Sequence, residues 1–460
     1  MKYADDTIAA ISTPVGQGGI GIVRISGPGS LAIADRIFHS RRKKPASHAG
    51  SFSVRYGHII RPADGSIVDE VLVTVMRAPS SYTKEDVVEV NCHGGMVTVR
   101  EVLGIVLQQG ARLADPGEFT KRAFLNGRIS LAQAEAVMDL IQATTEASMK
   151  VAEEQMRGGL SKKLDELRNA LIETCALVEA QIDFPEDDIG MQTIGQLDEQ
   201  LRAIWSEIGK LSATFDEARF FREGLAVAIV GRPNVGKSSL LNALLGKDRA
   251  IVTPIPGTTR DILEEYLNIN GLPVRIIDTA GIRDAVDEVE QAGVARSLYA
   301  VESADFVIAM LDGSEPLMGE DISLLEKIRD KNAVIAVNKA DLPRRLSPDG
   351  FMAQGKQCFH ISAVTGEGLE ELKSGLFHSN LRNWGEEREG VVVTNMRHKL
   401  ALDRTQAALE RAVEILGDGR PLEILAIELS YATESIGEIT GVVTTEDILD
   451  KIFSNFCIGK

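Results

Sequence analysis

The stretch GRPNVGKSS, residues 231–239, constrains the fold of this chain more than any other. It follows the apolar run LAVAIV and opens SSLLNALLG, which reads as a helix. It fits G-x-x-x-x-G-K-[ST] in the strand–turn–helix context that this motif needs. Gly231 and Gly236 let backbone N–H groups curl round phosphate oxygens. Lys237 places a charge on the outer phosphates, and the Ser238 hydroxyl is a magnesium ligand. Asn234, Val235 and Ser239 belong to the same nucleotide-facing loop. A structural glycine turn is the plain alternative, but such turns seldom carry the full GK[ST]. Residues 222–378 alternate apolar strands with helices (LAVAIV, VRIIDT, DFVIAML, AVIAVNK), which predicts a parallel α/β sheet.

Three further elements follow in order. In DTAG, 278–281, Asp278 can hold the magnesium shell and Gly281 can sense a γ-phosphate; Thr279 and Ala280 lie between them. In NKAD, 338–341, Asp341 can accept from guanine N1–H and N2–H₂, Asn338 can reach the O6/N7 side, and Lys339 joins them. In SAVTG, Ser362, Ala363 and Val364 can cap the base. Thr259 of IPGTTRD would complete the magnesium shell, and Thr253, Pro254, Ile255, Pro256, Gly257 and Thr258 lead into it as part of the nucleotide site. This ordered set resembles the translation-factor-related GTPases, which implies guanine specificity. One departure matters. Ras-type GTPases carry glutamine after DTAG to orient water; here it is Ile282, which cannot. Arg283, Asp284, Asp287, Glu288 and Glu290 follow, and a solvated loop charge is the default for each. Asn234, beside the loop 249–258, offers oxygens that could hold a monovalent cation against the phosphates.

The remaining chain has two other textures. Residues 1 to about 120 alternate like strands between short turns (TIAAIS, GIGIVRIS, FSVRYGHII, VDEVLVTVM), which predicts an α+β domain. From about 129 helical spacing takes over. Ser130-Leu-Ala-Gln133 is a capping-box pattern. Leu131, Ala134, Met138 and Ile141 share one face; Leu164, Leu167, Leu171, Cys175, Val178 and Ile182 form the next stripe, with Cys175 as core filler. That helix should stop before Phe184-Pro185. After 378 Leu402, Thr405, Leu409, Ala412 and Leu416 share a face, and TTED at 444–447 caps a last helix. The predicted organisation is residues 1–122 as an α+β domain, 123–221 with 379–460 as a discontinuous helical domain, and 222–378 inserted as the GTPase domain.

With 50 lysine and arginine residues against 67 acidic ones, the net charge is −17, so non-specific polyanion binding is disfavoured. Work on nucleic acid would need a local basic surface or a partner that holds the substrate. RRKKP at 41–45 reads as a solvated loop before it reads as such a surface. No apolar run approaches the ~18 residues of a membrane span, and Asp5 and Asp6 argue against a basic leader. The cysteines, Cys92, Cys175, Cys358 and Cys457, form no CxxC pair, which fits a reducing cytoplasm.

GQGGIGIVRISG, SYTKEDVVEVNCHGG, DPGEFTKRAFLNGRISLAQAEAVMDLI, GRPNVGKSS, GTTRD and the terminal CIGK together resemble the MnmE (TrmE) family of tRNA modification GTPases along the whole chain. The resemblance implies a homodimer whose N-terminal domain binds a one-carbon tetrahydrofolate of 5-formyl or methylene type. With the FAD-dependent partner MnmG, in a heterotetramer or larger, it would modify C5 of the tRNA wobble uridine. The family's potassium ligands fall on Asn234 and on Thr253, Ile255 and Thr258 through backbone oxygens. Potassium there would serve the charge role of an arginine finger. The family's catalytic glutamate falls on Glu290, acting through a bridging water, and its folate positions on Arg24, Glu89, Arg128 and Lys460. At Arg128 the family often has lysine, so charge is kept and geometry changes.

The tail FCIGK fits a prenylation box poorly, because Gly459 and Lys460 replace aliphatic and terminal positions. The family resemblance instead brings the tail to the folate site, where Cys457 either acts on substrate or lines the pocket. Gly16-Gln-Gly18-Gly-Ile-Gly21 matches a dinucleotide fingerprint, but IVRIS after it reads as a strand, so a β-turn is expected and FAD belongs to the partner. HGG at 93–95 resembles an oxyanion loop without a nucleophile elbow. Two other functions compete: a purely regulatory GTPase switch, and a folate-dependent transferase that needs no MnmG.

Overall fold

The computed structural model describes residues 6–14, 16–41, 44–183, 194–248, 265–277, 300–346, 355–381 and 390–460. The chain divides into two compact units, Met1–Met138 with Ile436–Lys460, and Asp139–Ser435.

The first unit is built on a seven-stranded sheet: β1 (Ile8–Ile11), β2 (Ile20–Ser26), β3 (Phe38–Ser40), β4 (Ser53–Ile60), β5 (Ile67–Met76), β6 (Val87–His93) and β7 (Arg112–Leu113). The strand order is β3-β4-β5-β6-β2-β1-β7, antiparallel except for β1 with β7. Alternation sorts the side chains. Val23, Ile25, Val73, Val75, Val88 and Val90 are buried with Ile33 of the helix Ser30–Ile37 and Val102 and Val106 of the helix Met96–Gln108. Each such side chain contributes ~1.5–3 kcal/mol relative to exposure. Arg24, Leu72, Glu89 and Asn91 occupy the other face, as neighbours across β2, β5 and β6. The GQGGIG turn leads into β2, so the strand expectation holds. Gly18 N donates to Gly94 O at 3.4 Å, and a Cβ on Gly94 would sit 2.8 Å from the Gly18 carbonyl carbon. The glycines of this turn and of HGG therefore serve one close backbone approach.

The capping box forms as expected: Gln133 N donates to Ser130 Oγ at 3.2 Å, and Ser130 N donates to Gln133 Oε1 at 2.9 Å. The helix it opens, Leu131–Gln142, buries Leu131, Ala134 and Met138 with Leu449, Phe453 and Phe456. Ile141, predicted on the same face, is exposed. The last helix, Glu446–Phe453, is capped by Thr445, whose hydroxyl accepts from Ile448 N at 3.4 Å.

The second unit carries a six-stranded sheet: β8 (Leu225–Val230), β9 (Glu265–Ile269), β10 (Leu272–Ile276), β11 (Phe306–Asp312), β12 (Ala333–Asn338) and β13 (Cys358–His360). Its order is β13-β12-β11-β8-β10-β9, parallel except for β9. Every residue of β8, β11 and β12 is buried, because alternate side chains enter two separate cores. That is why these strands read as continuous apolar runs rather than alternating ones. In the helical part, Leu402, Thr405, Leu409, Ala412 and Leu416 are buried along the helix Met396–Gly417, as predicted. The stripe of the helix Gly159–Asp183 needs a correction. Leu164, Leu167, Leu171 and Val178 are buried, but Thr174 takes the buried place expected of Cys175, which is half-buried at the edge, 3.9 Å from Ser430 Oγ. Among the described residues no helix is long and apolar enough to cross a membrane.

Candidate functional site

The predicted residues that the structure describes fall into two clusters, one in each unit. In the second unit the turn after β8 runs into the helix Lys237–Asp248. Gly236 has φ of +100°, and a side chain there would strike Asn338 Nδ2. Asn234 takes the left-handed conformation as well, at +63°. Lys237 Nζ lies inside the loop and donates to Gly231 O and Arg232 O, both at 2.8 Å. Burial pushes its pKa down, and an anion within the loop would favour the charged form. Ser238 and Ser239 follow in the first helical turn, both exposed at the loop's mouth. Arg232 braces the loop by bonding Asp321 at 2.8 Å and Glu315 at 3.2 Å.

Asn338 ties three motifs together. Its Nδ2 donates to Val235 O at 2.7 Å, and its Oδ1 accepts from Ala363 N at 3.0 Å. Ser362 Oγ donates to Asp341 Oδ1 at 2.6 Å, which orients a carboxylate that is otherwise exposed. Val364 is exposed beside it. Lys339, at φ of +67°, reaches Asp312 Oδ2 at 2.5 Å. Sequence reading missed Asp312. It ends β11, is 4% exposed, and also accepts from Ser314 N and Oγ at 2.9 and 2.6 Å. Burial pushes its carboxyl up, but Lys339 and Ser314 outweigh that and hold it below the ordinary value. The only available signal was an acid followed by Gly-Ser at a strand end. Thr253, Pro254, Ile255, Pro256, Gly257, Thr258, Thr259, Asp278, Thr279, Ala280, Gly281 and Glu290 lie outside the described residues.

In the first unit Arg24, Glu89, Arg128 and Lys460 come together. Arg24 Nε donates to Glu89 Oε1 at 2.9 Å across β2 and β6. The guanidinium of Arg24 lies 5.8 Å from the Tyr82 ring and 5.6 Å from the Phe119 ring. Arg128 lies over the same Tyr82 ring at 4.7 Å and donates to Tyr82 O at 3.2 Å. Tyr82 was not singled out from the sequence; its hydroxyl pairs with Thr120 Oγ1 at 2.9 Å. The tail arrives beside them. Gly459 O accepts from Ser12 Oγ at 3.1 Å and from Arg24 Nη1 at 3.4 Å. Lys460 is pushed below its ordinary value by burial and by Arg24, against the opposing pull of Cys457 and Glu89. Cys457 is exposed, and its carbonyl accepts from Gly117 N at 3.4 Å. Arg122, 1% exposed, holds the 80–86 segment by bonding Glu85 at 3.1 Å, with Glu118 at 2.9 Å and Asp6 at 2.6 Å. Cys92 is a packing thiol: burial, and secondarily Asp69, raise its pKa to about 11.

This second cluster sets three cationic side chains against one carboxylate side chain, beside an aromatic ring. It fits a ligand with an anionic end, a flat ring and N–H groups that a carboxylate can accept from. The first cluster fits a nucleotide: a phosphate loop with its lysine, a hydroxyl in the first helical turn, and an oriented carboxylate beyond.

Comparison with known proteins places the chain in one family. Family models described as the MnmE helical domain and the GTP-binding protein TrmE N-terminus match residues 131–457 and 7–128. The tRNA modification GTPase MnmE of Alkaliphilus oremlandii is 48% identical over 460 residues, covering 100% of both chains. That of Geobacillus kaustophilus is 49% identical over 460 residues, covering 99% of each. The chain belongs to the MnmE family of tRNA modification GTPases.

Proposed function

We propose that this protein is the GTP-hydrolysing component of the system that modifies C5 of the tRNA wobble uridine (U34). It would form aminomethyl or carboxymethylaminomethyl uridine with MnmG and a one-carbon tetrahydrofolate. The observation that carries the folate reading is the convergence of Arg24, Arg128 and Lys460 on Glu89 and Tyr82. Glu89 accepts from the pterin N–H groups, and the three cations take the glutamate carboxylates. Tyr82 offers its face to the ring. Cys457 stands at the rim, either acting on substrate or lining the pocket.

In the nucleotide site Lys237 balances phosphate charge, and Asp341 selects guanine through its N–H donors. Ser238, with Thr259 and Asp278, would hold magnesium, which neutralises charge on the β- and γ-phosphates. Asn234, with backbone oxygens of Thr253, Ile255 and Thr258, would hold potassium, which supplies positive charge where other GTPases use arginine. Ile282 cannot position water, so Glu290 takes that role through a bridging water. Potassium-dependent pairing of two GTPase domains activates hydrolysis, and the protein works as a cytoplasmic homodimer. Nucleoside mass spectrometry of total tRNA from cells with and without the gene tests the reading. C5-aminomethyl-type uridines vanish on deletion and return with the wild-type gene; their persistence at wild-type levels, with no second gene copy, overturns it.

A further inference from the structure

A chain of net charge −17 repels RNA at long range, so any RNA contact it makes must be local. One segment stands apart. Residues 36–61 contain no aspartate or glutamate, yet hold seven lysines and arginines, of which Arg42 and Lys43 lie outside the described residues. The fold gathers three of the described cations at one corner of the first unit's sheet. Arg55 Nη1 donates to Lys44 O at 3.2 Å and Pro45 O at 2.9 Å, while Arg41 N donates to Tyr56 O at 3.3 Å. Arg41, Lys44 and Arg55 therefore flank the end of edge strand β3. The nearest upstream carboxylate, Asp35, is turned to Ser47 N at 2.8 Å. Glu70, opposite His58, bounds the patch on the β5 side. Arg36 and Arg61 are excluded, since they bond Gln109 O and Glu101.

Two exposed aromatic rings lie on the same segment; Tyr56, paired with Leu72, is on the sheet face that carries Arg24, whereas Arg55, paired with Val73, is on the opposite face. Phe52 is 69% exposed and holds φ of +56°, an unfavourable conformation for a bulky residue. Tyr56 is also exposed, with its ring 6.3 Å from that of His58. Exposed rings beside unpaired-sign charge suit unstacked bases and their phosphates, as single-stranded RNA presents them. From β3 to β2, which carries Arg24, there are four strand spacings, about 19 Å at ~4.8 Å each.

We propose that the corner formed by Arg41, Lys44, Phe52 and Tyr56 is an RNA-docking surface that holds the anticodon arm beside the one-carbon site. The surface rests on the tRNA reading above, and the two can fail separately. The test uses the full chain and a fluorescent anticodon stem–loop RNA, titrated by anisotropy at several salt concentrations. The double variant Arg41→Ala/Lys44→Ala lowers the salt slope by about 1.4, at ~0.7 per single-strand phosphate. Phe52→Ala weakens binding about fivefold or more, without changing that slope. All variants keep the wild-type GTPase rate, which confirms folding. No measurable RNA binding by the wild-type chain, or unchanged affinity and slope in the variants, overturns the surface even if tRNA is modified in cells. A variant that alters only the oligomeric mass also overturns it, and marks the corner as a contact between copies. If wobble uridines are unmodified by this system while the corner still binds RNA as described, the surface stands and the modification reading falls.

Discussion

Replacing Asp312 by asparagine tests how the guanine-binding loop is held. Lys339 sits at φ of +67°, which costs a non-glycine residue roughly 1 kcal/mol, so a compensating contact is required. The ion pair to Asp312 at 2.5 Å supplies it. Asp312 is 4% exposed and the Lys339 side chain 31%, so water screens the pair from one side. A hydrogen bond to a charged group contributes ~1.5–3 kcal/mol, about twice a neutral one. Asparagine keeps an acceptor and removes the charge, so the loss should be ~1–1.5 kcal/mol. If Lys339 must be held for its loop to meet the base, that loss is about tenfold in Kd for guanine nucleotide, mostly through faster dissociation.

The assay is displacement of a fluorescent GDP analogue from Asp312→Asn, Lys339→Ala and the double variant. Asp312 acts through Lys339, so the double variant should bind no more weakly than Lys339→Ala alone. Additive penalties would refute the reasoning, as would an unchanged Kd for Asp312→Asn beside a weakened Lys339→Ala. The pH dependence carries its own sign. The folded Asp312 carboxyl lies below its ordinary value of 3.8, so its stabilising contribution is present above about pH 4. It fades as pH falls through the depressed value.

Tyr82→Ala should weaken 5-formyltetrahydrofolate binding about tenfold by calorimetry, since two cation–π contacts of ~0.5–1 kcal/mol each are lost; Tyr82→Phe should stay within about twofold. Lys460 has a lowered pKa in the folded chain, so binding an anionic folate should take up a proton between that value and 10.5; calorimetry in buffers of different ionisation enthalpy reads the uptake, and deletion of Lys460 abolishes it. Exchange of potassium for sodium should reduce GTP turnover sharply, and an unchanged rate removes the cation from the nucleotide site. Glu290→Ala should keep nucleotide affinity and lose turnover; equal loss of both would assign it to binding.

What the sequence discloses depends on how far apart the interacting residues lie. The Ser130–Gln133 capping box, the Thr445 cap and the phosphate loop are contacts within a few residues, and local spacing shows them. Continuous apolar runs revealed β8, β11 and β12 because both faces of those strands are covered. The Thr174–Cys175 exchange shows the limit of periodicity. A helical stripe is wide enough for adjacent residues to compete for its centre, and only packing decides between them. Asp312 reaches Lys339 across 27 positions and Tyr82 meets Arg24 across 58, separations at which no spacing rule operates. The family resemblance supplied Arg24, Glu89, Arg128 and Lys460, but it did not supply the ring between the two arginines.

The tail carries this argument to its end. Gly459 and Lys460 counted against a lipid box, yet composition alone gave no reason for a glycine there. The fold supplies one. Gly459 is buried at φ of +96°, and a Cβ would lie 2.9 Å from the Ile11 carbonyl carbon and 3.0 Å from Ser12 Cα. Only glycine lets the backbone pass so close to β1 while its carbonyl accepts from Ser12 and Arg24. The last two residues are thereby fixed against the sheet that carries Arg24 and Glu89. A tail held by its backbone places Lys460 by geometry, whatever Cys457 does. Gly459→Ala should therefore disturb folate binding as much as loss of Lys460 itself, while leaving the thiol in the chain.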